Sequence, residues 1–141
     1  MGFDLDKIKK GTADIRAAVD KIRGLVSAPD QAFWADERNI LSVERLMLII
    51  LEAVGNLSLH VLAKKFKKSA DAPAECIEFL AAENIFNEDL SGRLRRAMRF
   101  RNILVHRYWE VDRKKVYEYA QNNLKDFEDF LESINKLTKL A

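Results

Sequence analysis

A long segment that ends near Phe66 carries apolar residues at the three- and four-residue spacing of an α-helix. The residues of this apolar stripe are Ile40, Val43, Met47, Ile50, Val54, Leu57, Val61 and Leu62. The middle of the segment is apolar on more than one side, which predicts the central helix of a bundle. Either Asp30 or Asp36 can cap its start. Gly55 interrupts the stripe and allows either close helix packing or a small bend.

Further segments show the same helical spacing of apolar residues. They run from about Asp4 to Val26, from Ala72 or Pro73 to Glu83, from Asn87 to close to His106, and from about Arg113 to Leu137. Their predicted N-caps are Asp4, Asp71, Asn87 and Asp112. Residues 108–111 are predicted to form a short extended link. No segment has the alternation of a strand, so we predict one all-α domain over residues 1–141, an up-and-down bundle of four or five helices.

The composition agrees with a folded helical protein and narrows its class. Hydrophobic residues make up 48% of the chain and charged residues 33%, which argues against disorder. The apolar run Leu46–Leu51 is too short to span a bilayer, and no signal peptide is evident, so we expect a cytoplasmic protein. The one cysteine, Cys76, falls in an apolar helical pattern and is predicted to be buried. The chain has no Cys/His cluster, which excludes a structural zinc site. We also expect no metal ligand and no cofactor.

Positive charge is concentrated in two places, although the net charge of the chain is only +2. The first is an arginine-rich segment that contains Arg93, Arg95, Arg96, Arg99, Arg101 and Arg107. The second is the lysine run Lys64, Lys65, Lys67 and Lys68. The lysines end the central helix, where cations suit the helix dipole and face solvent. The arginines can guide an RNA backbone, bind an acidic partner or keep their helix soluble, and the sequence leaves these alternatives open.

The end of the arginine-rich segment combines Arg101, Asn102, His106 and Tyr108. Asn102 and His106 share a helical face, whereas Arg101 and His106 are about 140° apart around the helix. Arg101 carries the donor fork that matches phosphate oxygens, and His106 can exchange a proton near neutral pH. The two converge on one phosphate only if the helix ends or bends near His106, or if a second subunit contributes. Alone, the pattern also fits a basic helix end in which His106 caps carbonyls and Tyr108 packs on the last helix.

The stretch from Arg101 to Trp109 resembles the Arg-x4-His-x-Tyr signature of HepT-type toxins, which belong to the HEPN superfamily. Comparable segments of that family correspond to Glu44–Leu46, Ala63–Phe66, Phe100–His106 and Val111–Asp112. The resemblance therefore covers nearly the whole chain. It implies a helical HEPN domain that acts as a homodimer, in which the Arg-x4-His segments of both subunits line one cleft.

The same resemblance implies a metal-independent endoribonuclease toxin of a type VII-like HEPN/MNT toxin–antitoxin pair. His106 would activate the ribose 2′-oxygen or reprotonate the 5′-oxygen, Arg101 would stabilise the transition state, and Asn102 would position one of these groups. The implied products carry a 2′,3′-cyclic phosphate and a 5′-hydroxyl. The implied partner is an MNT-type nucleotidyltransferase antitoxin that transfers AMP from ATP to Tyr108. The candidates for RNA binding are Arg95, Arg96, Arg99 and Arg107.

A second function from another class fits the same family, namely a non-catalytic HEPN subunit that binds a nucleotide or docks a nucleotidyltransferase. The intact set of Arg101, Asn102, His106 and Tyr108 favours the nuclease, because a docking module has no need of it. The other histidine, His60, has no arginine at the matching spacing, so we expect it at the surface or at the edge of the core. A DNA-binding regulator lacks support, since no helix-turn-helix pattern is present.

Overall fold

The computed structural model describes residues 2–139 and contains α-helices but no strand in that range. The helices are α1 (Leu5–Val26), α2 (Asp30–Trp34), α3 (Glu37–Phe66), α4 (Pro73–Ala82), α5 (Glu88–His106), α6 (Arg113–Asn122) and α7 (Lys125–Thr138). A single 3-10 turn, Tyr108–Glu110, follows α5. The all-α prediction is confirmed.

The helix α3 lies at the centre of the bundle and contacts each of the other six described helices. All eight residues of its predicted apolar stripe are buried. By length and composition alone α3 could also cross a membrane, but 56% of its most apolar 18-residue window is buried within the protein. Core helices show this burial, and the position of α3 among its neighbours accounts for its apolar character.

The helix α1 packs antiparallel to α3, and its first residues contact the C-terminal half of α3. Asp4 caps α1 as predicted, because its carboxylate accepts a hydrogen bond from the Lys7 backbone N–H at 3.2 Å. The Asp4 backbone N–H in turn donates to Nε2 of His60 at 3.0 Å. Burial and the nearby charges of Lys7 and Lys64 lower the pKa of His60, which favours the neutral ring that this acceptor role requires. His60 is therefore a core-edge residue, as expected.

Of the two candidate caps for α3, only one caps it, and the other begins a helix that the sequence did not predict. Asp36 caps α3, since its Oδ1 accepts from the Arg38 backbone N–H at 2.9 Å. Asp30 instead begins the five-residue helix α2 and accepts a 2.7 Å hydrogen bond from the Tyr117 hydroxyl. That bond is the main reason why the pKa of Tyr117 is raised to about 12. It ties α2 to α6, where the ring of the buried Phe33 packs against that of Tyr117 with centroids 4.4 Å apart.

The helix α4 starts at Pro73 as expected, but the predicted Asp71 cap is wrong. The N-cap residue is Ala72, and no side chain caps the first turn. The backbone N–H of Asp71 instead donates to Glu75 at 3.2 Å. A Cβ added to Gly55 would lie 3.2 Å from Cβ of Pro73, so Gly55 serves close packing of α3 on α4, the first of its two predicted roles. Cys76 is buried on the inner face of α4 as predicted, and burial raises the pKa of its thiol.

Two predictions for residues 108–137 differ from the structure. Residues 113–137 were expected to form one helix, but the structure has α6 and α7 with a break at Asn123 and Leu124. Asparagine competes with helical hydrogen bonding through its side chain, which weakens the helix there. The break accompanies a 2.8 Å hydrogen bond from the Tyr119 hydroxyl to Asp126. The predicted extended link at residues 108–111 is also wrong for its first three residues, which form the 3-10 turn.

Candidate functional site

The helix α5 positions the Arg-x4-His stretch at its C-terminal end. Asn87 caps the start of α5 as predicted, with its Oδ1 accepting from the Leu90 backbone N–H at 2.8 Å. One face of the helix is held in the core by Leu90, Ser91, Leu94, Ala97 and Met98. The last helical residue is His106, and Arg107 leaves the helix with φ −139° and ψ 45°. The chain therefore turns away directly after the candidate catalytic histidine.

A cavity of about 540 Å³ brings together Arg101, Asn102 and His106, the three predicted catalytic residues. Its other walls are Met98, Arg107 and the start of α4 from Asp71 to Ala74. Arg101 and His106 both line this cavity within a single protomer. The helix α5 ends at His106, so the first of the two geometric alternatives drawn from the sequence stays open beside a contribution from a second subunit.

Arg101 is held in place by two side chains. Its Nε donates to Oε1 of Glu52 on α3 at 2.6 Å, and its Nη1 donates to Oδ1 of Asn102 at 3.2 Å. The Arg101 side chain is only 18% exposed, while that of Glu52 is 46% exposed. Within residues 2–139, Nη2 of Arg101 has no hydrogen-bond partner. Donors for a phosphate thus stay available at the tip of a restrained guanidinium.

His106 differs from Arg101 in being exposed to solvent on the last turn of α5. Its ring makes no hydrogen bond to any residue that the structure describes. The predicted alternative, a histidine that caps carbonyls, is therefore not what the geometry shows. The ring lines the cavity and has both nitrogens free of hydrogen bonds to residues 2–139.

Tyr108 lies outside this cavity. Its side chain is 71% exposed on the 3-10 turn and packs edge-on against Trp109, with ring centroids 5.3 Å apart. It borders a second groove of about 380 Å³, which is lined by Leu41, Glu44, Arg45, Leu48, Leu104, Val111 and Arg113. One alternative from the sequence was that Tyr108 packs on the last helix, and the structure does not show this packing. Its phenol is exposed to solvent.

The four arginines predicted to bind RNA fall into two pairs. Arg95 forms an ion pair with Glu78, and Arg107 forms one with Glu110 at 3.2 Å. Arg96 and Arg99 are exposed and form no ion pair within the described part of the chain. Of the four, Arg96 and Arg99 therefore have the guanidinium groups most accessible to a ligand.

Arg93 begins the same basic segment, but its guanidinium is bound by carboxylates of the protein itself. Its guanidinium binds Asp126 at 2.8 Å, Asp129 at 3.0 Å and Asp89 at 3.0 Å, and its side chain is 19% exposed. The hydrogen bond to Asp126 is the main cause of the raised pKa of Arg93. Arg93 links α5 to α7 and has little charge left for a ligand.

The sequence alone does not indicate two parts of the site, namely Glu52 and the wall formed by residues 71–74. Glu52 had one sequence signal, since it is a carboxylate within the otherwise apolar part of the central helix. The wall from Asp71 to Ala74 had none, because only tertiary packing places it opposite Arg101. Within residues 2–139, no group of three His, Cys, Asp or Glu side chains is placed to share a metal ion.

The sequence is similar to a known family and to a known nuclease. A family model described as "Ribonuclease HepT-like" matches residues 15–134. The mRNA nuclease HepT of Shewanella oneidensis is 27% identical over 116 residues, which cover 82% of this chain and 84% of that protein. The matched range includes every candidate catalytic and RNA-binding residue.

Solved structures show the same arrangement of helices. The tri-AMPylated HEPN toxin of Shewanella oneidensis in complex with MNT antitoxin has a TM-score of 0.84 and 26% identity, covering 96% of this chain and 99% of that chain. A toxin–antitoxin structure with AMP-PNP has a TM-score of 0.81 and 25% identity, covering 95% and 99%. YutE of Bacillus subtilis, a cytosolic protein of unknown function, has a TM-score of 0.84 at 18% identity, covering 97% and 92%, and it supports the fold alone.

Proposed function

The chain belongs to the HepT-like ribonuclease family, and we propose that it is an endoribonuclease toxin of a type VII-like HEPN/MNT pair that acts in the cytoplasm. The observation that carries the proposal is the single cavity lined by Arg101, Asn102 and His106. A restrained arginine beside an exposed histidine supplies the two functions that RNA cleavage requires, which are charge stabilisation and proton transfer.

The proposed reaction is attack by a ribose 2′-oxygen on the adjacent phosphorus. The bond from the 2′-oxygen to phosphorus forms while the bond from phosphorus to the 5′-oxygen breaks. The 2′-hydroxyl loses a proton and the leaving 5′-oxygen gains one, and His106 carries out one of these transfers. Arg101 stabilises the extra negative charge on the phosphoryl oxygens, with Asn102 holding its Nη1. The products carry a 2′,3′-cyclic phosphate and a 5′-hydroxyl, and none of these steps uses a metal ion.

The proposal includes a homodimer whose two Arg-x4-His segments face each other. Its support is a set of exposed apolar side chains, because Val105 (37% exposed) and Trp109 (69%) lie at and just after the end of α5, and Leu41 (44%) lines the groove that Tyr108 borders. Such side chains commonly mark a surface that a partner covers. RNA would approach along α5, guided by Arg96 and Arg99, while the charges of Arg95 and Arg107 are partly offset by their carboxylate partners.

The proposal also includes control by an MNT-type nucleotidyltransferase antitoxin. The Tyr108 oxygen would attack the α-phosphorus of ATP and displace pyrophosphate, leaving AMP attached as a phosphodiester. The exposure of Tyr108 supports this role, as does the AMPylated state of the Shewanella toxin. The added negative charge and bulk, close to His106 in the chain, would oppose RNA binding.

Replacing Tyr108 with phenylalanine tests this control. The variant should cleave RNA as the wild type does but should gain no AMP when incubated with ATP and the antitoxin. Intact-protein mass spectrometry and RNA cleavage after incubation measure the two properties. AMP transfer to the variant at wild-type stoichiometry would remove Tyr108 from this role.

The nuclease proposal is tested with purified protein, a single-stranded RNA and a metal chelator. The wild type should cleave the RNA, and His106→Ala and Arg101→Ala should each reduce the rate by a factor of at least about 100. The product ends identify the chemistry, because a 2′,3′-cyclic phosphate requires the 2′-oxygen as nucleophile. A wild-type protein that binds the nucleotidyltransferase but cleaves no RNA would support the non-catalytic alternative.

A further inference from the structure

The contact between Glu52 and Arg101 joins the central helix to the candidate active site. Glu52 lies on α3 and Arg101 on α5, 49 positions apart, and their 2.6 Å hydrogen bond is a charge-assisted pair. We propose that Glu52 is a positioning residue for RNA cleavage, which holds the Arg101 guanidinium in the orientation that presents its terminal N–H groups to the RNA phosphate. This inference rests on the proposed nuclease function and deepens it.

The pattern of bonds at the guanidinium supports this role. Arginine has five N–H donors in one plane, and Glu52 occupies the one at Nε. Asn102 accepts from Nη1, which fixes a second point of the same plane. Two fixed points in a plane leave the guanidinium little freedom to rotate. The donors of Nη2 remain without a partner among the described residues, on a side chain that lines the cavity.

Glu52 is poorly suited to a purely structural role. Its side chain is 46% exposed, and its neighbour Leu51 and nearby Val54 are almost fully buried and hold this turn of α3 in the core. Exposed ion pairs contribute little to folding. The larger effect of losing Glu52 should therefore appear at Arg101, whose long side chain would become free to take other rotamers.

Removing the charge of Glu52 should affect KM and kcat differently. A carboxylate close to an RNA phosphate weakens ground-state binding, so its removal should not raise KM. An arginine that loses its fixed orientation stabilises the transition state less, so kcat should fall. An inhibitory contact that withholds Arg101 from the RNA would give the opposite result, because its removal would raise kcat.

The test measures kcat and KM of RNA cleavage for Glu52→Ala and Glu52→Gln. Glu128→Gln serves as the matched control, since Glu128 forms an ion pair with Arg23 between α7 and α1, outside the candidate site. Glu52→Ala should lower kcat about 10- to 100-fold without raising KM. Glu52→Gln keeps an oxygen that can accept from Nε, so its kcat should lie between those of Glu52→Ala and the wild type. The control should behave as the wild type, and thermal unfolding confirms that each variant is folded.

A double substitution distinguishes positioning from general damage. In an Arg101→Ala background, Glu52→Ala should cause no further loss of kcat, because Glu52 acts only through Arg101. An additional loss in that background would overturn the proposal, and so would a kcat for Glu52→Ala within about twofold of the wild type. If wild type and Glu128→Gln both leave RNA intact, the nuclease function itself fails. If both cleave and Glu52→Ala cleaves equally well, only the positioning role fails.

Discussion

Arg93 lies in the basic segment of α5, yet the structure predicts that its replacement affects stability rather than RNA binding. Arg93→Met removes the guanidinium that binds Asp126, whose side chain is only 5% exposed. Among residues 2–139, the carboxylate of Asp126 would then keep one hydrogen-bond partner, the Tyr119 hydroxyl at 2.8 Å. A buried charge that loses its counter-charge destabilises the folded state.

The magnitude follows from this burial. Removing one partner of a buried ion pair typically costs about 3–5 kcal/mol. The low end applies to Arg93, since its own side chain is 19% exposed and the Tyr119 bond to Asp126 remains. We therefore expect a loss of about 3 kcal/mol in the free energy of unfolding. At about 3 °C per kcal/mol for a chain of this length, Tm should fall by roughly 10 °C.

The assay compares Arg93→Met with Arg96→Met, an exposed neighbour on the same helix. Thermal and urea unfolding should place Arg96→Met within about 0.5 kcal/mol of the wild type. The salt dependence of RNA binding should show the reverse, with a slope reduced by about 0.7 for Arg96→Met and unchanged for Arg93→Met. An Arg93→Met protein with wild-type Tm and a reduced salt slope would refute the structural assignment of Arg93.

Two further predictions concern packing and pH. A Cβ on Gly11 would lie 2.8 Å from Leu57, so Gly11→Ala should lower the free energy of unfolding by about 1 kcal/mol, net of the better helix propensity of alanine. Gly24 has open space around it, so Gly24→Ala should raise the free energy of unfolding by about 0.5 kcal/mol. Chemical denaturation measures both, and equal effects would contradict the close contact. The hydrogen bond from Arg23 lowers the pKa of Glu128 below its ordinary 4.5, so the pair stabilises the fold above that pH and is lost as pH falls through the lower folded value. Wild type should therefore lose more stability than Glu128→Gln between about pH 6 and about pH 3, and identical losses would contradict the ion pair.

The parts of the fold that follow from local chemistry could be predicted from the sequence. The stripe of α3 was evident because a central helix is apolar over many turns, and the caps at Asp4, Asp36 and Asn87 have the residue types that accept backbone N–H groups. The break between α6 and α7 could not be predicted, since the apolar spacing continues across Asn123. The hydrogen bond of Tyr119 to Asp126 that accompanies this break is a tertiary contact.

In the candidate site, too, the local features could be predicted from the sequence and the tertiary contacts could not. The grouping of Arg101, Asn102 and His106 is a prediction from their positions near one helix end, and all three side chains line one cavity. The contact of Glu52 with Arg101 could not be predicted, because it depends on how α3 packs beside α5. Arg93 shows the opposite limitation, since its place in a basic run gave no sign of the three carboxylates around it.

The most direct test of the proposed chemistry is cleavage of one RNA in two forms, with and without a 2′-hydroxyl at the cleaved position. The purified protein should cut the natural RNA in a metal chelator, leave the 2′-deoxy position intact, and lose activity on His106→Ala substitution. Cleavage of both forms at equal rates, or wild-type activity in His106→Ala, would contradict the account that places 2′-oxygen attack at Arg101 and His106.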